Sequence, residues 1–93
     1  MIRHIVFIKL EDKSAINEAK ERLLGMKKKI GYLKNIEVGI NFSKEERAYD
    51  LALITDFDSK DDLEKYAVDE DHIEVLKFLK SKGVKSKVVD YEY

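Results

Sequence analysis

Two short runs in this chain, IVFI at 5–8 and LALI at 51–54, are apolar at every position. Side chains along a β-strand point alternately to opposite faces, so a strand of this kind must be covered on both sides. Each run sits inside a longer stretch, IRHIVFIKL (2–10) and AYDLALITDF (48–57), dense in β-branched and aromatic residues. Whatever else the chain does, it has to bury two faces of at least two strands. With 93 residues it has little material to do so. A chain of this size buries only roughly 60–65% of its unfolded surface. It has no cysteine for a disulfide, which leaves association as the common aid for a small scaffold.

The other periodicities supply the remaining elements. Asp12 and Ser14 offer caps, and Ile16, Ala19, Leu23, Met26 and Ile30 then recur at three- and four-residue steps, one apolar stripe of a helix over 14–30 that Gly31 would stop. LKNIEVGIN (33–41) alternates, with Ile36, Val38 and Ile40 on one side and Asn35, Glu37 and Gly39 on the other. After the third strand, DSKDD (58–62) carries helix-capping residues, Asp56 and Asp58 among the candidates, ahead of a short helix. A longer stripe with Val75, Leu76 and Leu79 covers 70–82 and ends at Gly83, and VKSKVVDYEY (84–93) is a last strand. The order β-α-β-β-α-β predicts an α+β ferredoxin-like fold: one domain over 1–93, a four-stranded antiparallel sheet, helices on one face. The other face stays bare. An apolar face of that size is a liability on a monomer, so the expectation is a homodimer with its sheets face to face.

Composition narrows the function classes. Charged residues are 40% of the chain but the net charge is −1. That is a mixed solvated surface and not a nucleic-acid footprint. No apolar run nears the roughly 18 residues of a membrane span, and MIRHIVFIKL lacks the pattern of a signal peptide. A cytoplasmic protein with no nucleic-acid or membrane partner is expected. Two histidines on separate elements and no thiolate do not make a metal site, and four scattered glycines make no phosphate loop.

YAVDEDH (66–72) poses a narrower problem. Tyr66 shares a helical face with Leu63, and His72 shares one with Val75 and Leu76. In one continuous helix the step from Tyr66 to His72 turns through about 600°, which sets the two rings about 120° apart around the axis, on different faces. Both face inward only if the helix breaks between them. Asp69 is a favoured N-cap for a new helix starting at Glu70, with Asp71 suited to its first turn. The helix N-terminus disfavours a protonated His72 while the neighbouring carboxylates favour it. His4 shares a strand face with Ile2, Val6 and Ile8. On residues alone, these rings read either as a satisfied closure of the core or as the polar end of a binding pocket.

In order along the chain, RHIVFIKL (3–10), IEVGIN (36–41), YDLALITDFDS (49–59) with Leu63 and Tyr66, His72, and VVDYEY (88–93) resemble the stress-responsive α/β-barrel domain family. The resemblance implies a dimeric α+β barrel. It does not imply one function: one plant branch holds polyketide cyclases that work by intramolecular aldol chemistry, and another holds stress proteins that assemble into rings. Carried over from the cyclases, His72 is the general base and Tyr66 holds a carbonyl oxygen. His4, Leu51 and Phe7 are then ligand-binding residues, no cofactor is needed, and the ligand is a small apolar or ketone-bearing molecule. Two departures stand out. Leu51 occupies the place of a third cyclase histidine, and Asp69-Glu70 replaces a usual His-Pro pair. Two readings follow: a ligand-binding or cofactor-free enzyme domain with a pocket between sheet and helices, or a non-enzymatic stress or assembly protein with a filled core.

Overall fold

In the computed structural model, which describes residues 1–93, the two doubly apolar runs become the interior strands of one sheet. β1 (Ile2–Leu10), β2 (Asn35–Ile40), β3 (Leu51–Phe57) and β4 (Val84–Glu92) lie in the order β2-β3-β1-β4, all antiparallel. Helices α1 (Ile16–Lys29), α2 (Lys60–Ala67) and α3 (Glu70–Ser81) pack on one face. This is the ferredoxin-like arrangement expected from the sequence, with its second helical stretch split in two. No helix is long and apolar enough to cross a membrane.

The register sorts every strand residue onto a face. Ile2 pairs with Phe57, His4 with Thr55, Val6 with Leu53 and Ile8 with Leu51, and all of them face the helices. There they meet Leu23 and Met26 of α1, Tyr66 of α2, and Val75 and Leu79 of α3 in one core. The alternate residues face away: Arg3 pairs with Asp56, Ile5 with Ile54 and Phe7 with Ala52. On that outer face Ile5 and Ile54 are half-buried, while Phe7 is 49% and Val89 59% exposed. At one end of it, Arg3 donates from Nε and Nη2 to the two oxygens of Asp56 at 2.8 and 3.0 Å. The guanidinium holds the Asp56 carboxyl below the usual carboxylate range.

Several local expectations are corrected. α1 begins at Ile16, because Asp12 caps a 3₁₀ turn over Lys13–Ala15, its Oδ1 accepting from Ser14 N at 3.0 Å. α1 ends as Ile30 turns extended, so Gly31 does not stop it in a left-handed conformation; the one positive φ in the chain is Gly83 at 73°. Asp56 does not cap α2. Ser59 does, its Oγ accepting from Asp62 N at 3.2 Å. Strand β3 starts at Leu51 because Asp50 is diverted: its carboxylate accepts from Leu10 N and Lys13 Nζ, both at 2.8 Å.

Gly83 and Gly25 should respond oppositely to alanine. At Gly83 a Cβ would lie 2.6 Å from Glu11 Cβ, on a left-handed backbone. That backbone alone costs an ordinary residue about 1–2 kcal/mol. Gly25 lies inside α1 with open space where a Cβ would be, and alanine there should add roughly 0.5–1 kcal/mol. Urea unfolding midpoints should fall for Gly83→Ala and rise for Gly25→Ala.

Candidate functional site

The helix break falls where the two rings require it. α2 ends at Ala67, and Asp69 opens α3 with its backbone extended (φ −68°, ψ 134°) and its Oδ1 accepting from Asp71 N at 2.9 Å. Oδ2 of Asp69 accepts from the Tyr32 hydroxyl at 2.8 Å, tying the joint to the segment after α1. The helical phase resets, and Tyr66 and His72 both turn inward. Their rings stack at 3.9 Å between centroids and 26° between planes.

Tyr66 is 1% exposed, with Phe57 against its ring at 5.0 Å and His4 edge-on at 6.1 Å. Its hydroxyl donates to Met26 Sδ at 3.8 Å. Burial holds this phenol well above its ordinary pKa. His72 is partly buried and its Nδ1 is a buried polar atom without a hydrogen-bond partner. Burial lowers the His72 pKa; the backbone oxygens of Tyr66 and Ala67 and the Asp69 carboxylate push the other way without reversing it. His4 differs: its Nδ1 is in hydrogen-bond contact with Oδ1 of Asp90, directly opposite on β4. A carboxylate on Nδ1 favours the tautomer that leaves Nε2 free to accept a proton.

Both histidines line a cavity of about 310 Å³ between α3 and the inner faces of β1 and β4. Val6, Leu53, Val75, Leu76, Leu79 and Val88 supply most of its walls, with Ser86 and Lys80 as further polar contributors. Of the five residues singled out in the sequence, the structure brings His4 and His72 to this wall. Tyr66 stands behind His72 and does not line the cavity. Leu51, 2% exposed, pairs with Ile8, two positions along β3 from Leu53, which does line it. Phe7 is corrected outright. It is one residue out of phase with His4 and Val6, so it projects from the outer face, where it borders a shallow cleft with Gly39, Tyr49 and Ala52. Asp90 and Lys80 carried no signal in the sequence. Asp90 meets His4 across 86 positions of chain through strand register alone.

The family model for the stress-responsive A/B barrel domain matches residues 2–93. The chain belongs to this family. Among solved structures it is similar to a dimeric ferredoxin-like protein of unknown function from Bacteroides fragilis, with 31% identity, a TM-score of 0.87, and 99% of this chain and 95% of the other covered. A dimeric ferredoxin-like protein from Thermobifida fusca shares 23% identity at a TM-score of 0.85, over 99% of this chain and 90% of that one. The hydroxynitrile lyase of Passiflora edulis shares 18% at 0.82, over 97% and 90%. No protein among curated sequences matches. The resemblance of the A/B barrel chain to its family, drawn from residues, is borne out along its length.

His72 sets a pH dependence. Unfolded, it titrates near 6.5; folded, it titrates lower. Between the two values the unfolded chain holds the extra proton. The contribution of neutral His72 is therefore complete above about pH 6.5 and declines as pH falls. Unfolding free energy should drop as pH falls from about 6.5 toward 5, and His72→Phe should flatten the drop. His4, Asp90 and the other titratable groups are common to both proteins, so the difference between their profiles isolates His72. Equal slopes in the two proteins would show that His72 titrates alike folded and unfolded.

Proposed function

We propose that the protein is a homodimer joined through the outer sheet face, and that each protomer holds a small-molecule site in the cavity under α3. The cavity carries this reading. It is largely apolar with two histidines on its wall, the usual make-up of a ligand site. Phe57 fills the Tyr66 end of the core, but nothing fills the His72 side. For the dimer, Ile5, Ile54, Phe7 and Val89 form an apolar outer face that a second sheet would cover. The Bacteroides relative, described as dimeric, supports it.

The chemistry we propose is cofactor-free proton abstraction beside a carbonyl, with the two histidines in different roles. His4, held by Asp90, is the base. Its Nε2 takes the proton from the carbon, and the C–H electron pair moves to the carbonyl oxygen to form an enolate. His72, kept neutral by burial, donates a hydrogen bond to that oxygen. Tyr66 positions the His72 ring. This reverses the roles that the cyclase resemblance implied for His72. The Passiflora lyase supports no more than that this fold accommodates enzymes.

Hydrogen–deuterium exchange at the carbons flanking the carbonyl of 2-octanone, followed by NMR, tests the site. Wild type should accelerate exchange. His4→Gln should lose about 10²–10⁴-fold, and Asp90→Asn should lose activity while the ketone still raises the melting temperature. No acceleration by wild type, or full activity in His4→Gln, would sink the assignment. For the dimer, Ile5→Glu should convert a dimeric sedimentation profile into a monomeric one, and a monomeric wild type would refute it.

A further inference from the structure

The wall of the cavity is uneven in charge. Its lining includes no carboxylate, and Lys80 is the one residue there with a permanent charge. The flanking lysines are engaged, Lys77 with Glu74 at 3.6 Å and Lys82 with Asp12 at 3.9 Å. Lys80 makes no ion pair with any residue of the chain. It lies at the end of α3 away from His72, two helical turns along, a rise of about 12 Å. The opposite wall runs the same way, from His4 and Val88 down to Ser86 and Val84. The cavity is thus a slot, with two imidazoles at one end, an unpaired ammonium at the other and aliphatic walls between. At about 30 Å³ for a water-sized volume, 310 Å³ has room for roughly ten non-hydrogen atoms.

From this arrangement we infer the class of ligand: an elongated monocarboxylate of about that size with an apolar middle, its carboxylate paired with Lys80 and a carbonyl at its other end between His4 and His72. The inference rests on the cavity being a ligand site. It goes further by giving the ligand a length, a charge and a direction. The aliphatic side chains along the slot, Leu76 and Leu79 on α3 and Val6 and Ile8 on β1, suit a hydrocarbon segment with no polar group in its middle. Lys80 is exposed at the rim. It selects among ligands that the apolar walls already hold, since ion pairs in contact with water contribute little by themselves.

Octanoate and 1-octanol separate the two claims, being close in length and differing in charge. Titration calorimetry below micellar concentrations should give octanoate the tighter binding, by roughly two- to five-fold. The preference should shrink in high salt and vanish in Lys80→Gln, which should bind octanol as wild type does. Lys80 is exposed, so this substitution leaves the core intact. Equal binding of the two by wild type, or a preference that survives Lys80→Gln, would overturn the anionic end and leave the cavity site standing. Failure of both probes to bind, or binding that persists when Val88→Trp plugs the slot, would overturn the cavity site and the ligand class together.

Discussion

Everything in the candidate site depends on what Asp69 does with its two carboxylate oxygens. Oδ1 caps α3 and Oδ2 takes the Tyr32 hydroxyl, while its backbone N–H still donates to Tyr66 O at 3.2 Å. One residue thus ends a helix, begins the next, and fixes both to the segment that follows α1. An N-cap is worth about 1 kcal/mol and a hydrogen bond to a charged group about 1.5–3 kcal/mol, a sizeable share of a stability that is typically about 5–15 kcal/mol. Burial and Asp69 push the Tyr32 phenol up to about 12, so it remains a donor at neutral pH. In one continuous helix the two rings would sit about 120° apart around the axis and could not stack as they do.

The cavity has a separate origin. Three helices cover four strands unevenly. α1 packs mainly against β2 and α2 touches β1 and β3, while α3 packs on β4. The inner face of β4 contributes Val84, Ser86 and Val88, of which Ser86 is small and Val88 is 56% exposed. A leucine in place of Ser86, opposite Ile8, would reach into the gap. The sheet and helices close tightly around Tyr66 and Phe57 and stay apart between α3 and β4. The opening is a property of these side chains and not of the topology, which other sequences could fill.

What could be read before the structure was local. Element order, the three- and four-residue stripes and the break at Asp69 each depend on residues within one helical turn or one strand. Even the face of Phe7 was legible: the alternation that groups His4 with Val6 and Ile8 excludes it, and only the family resemblance drew it toward the pocket. Register was not legible. Whether Leu51 or Leu53 sits beside the histidines depends on how β1 and β3 align, and either alignment leaves an apolar residue facing inward. Asp90 in VVDYEY looks like any solvated acid until β4 is paired to β1. Asp56 follows the same logic. Beside Asp58 and Ser59 it reads as a helix cap, and only strand pairing reveals Arg3 as its partner.

The two faces of the sheet are coupled through β1, because its odd and even residues serve different ends. Arg3 binds Asp56 on the outer face with the Tyr93 ring 4.5 Å above its guanidinium, and the next residue, His4, binds Asp90 on the inner face. Both contacts clamp β1 to its neighbours at the same level of the sheet, one from each side. In an isolated protomer Asp56 is buried but the Arg3 side chain is about a third exposed, so the outer clamp borders water on one side. A second sheet packed over Ile5, Ile54 and Val89 would exclude water beside Arg3 and Asp56, strengthen their attraction in the lower dielectric, and hold the strand that carries His4 more rigidly. A base that must meet a carbon-bound proton within hydrogen-bond reach depends on such rigidity. Association through the outer face would then do more than hide apolar surface. It would fix the position of the histidine on the other side of the same strand.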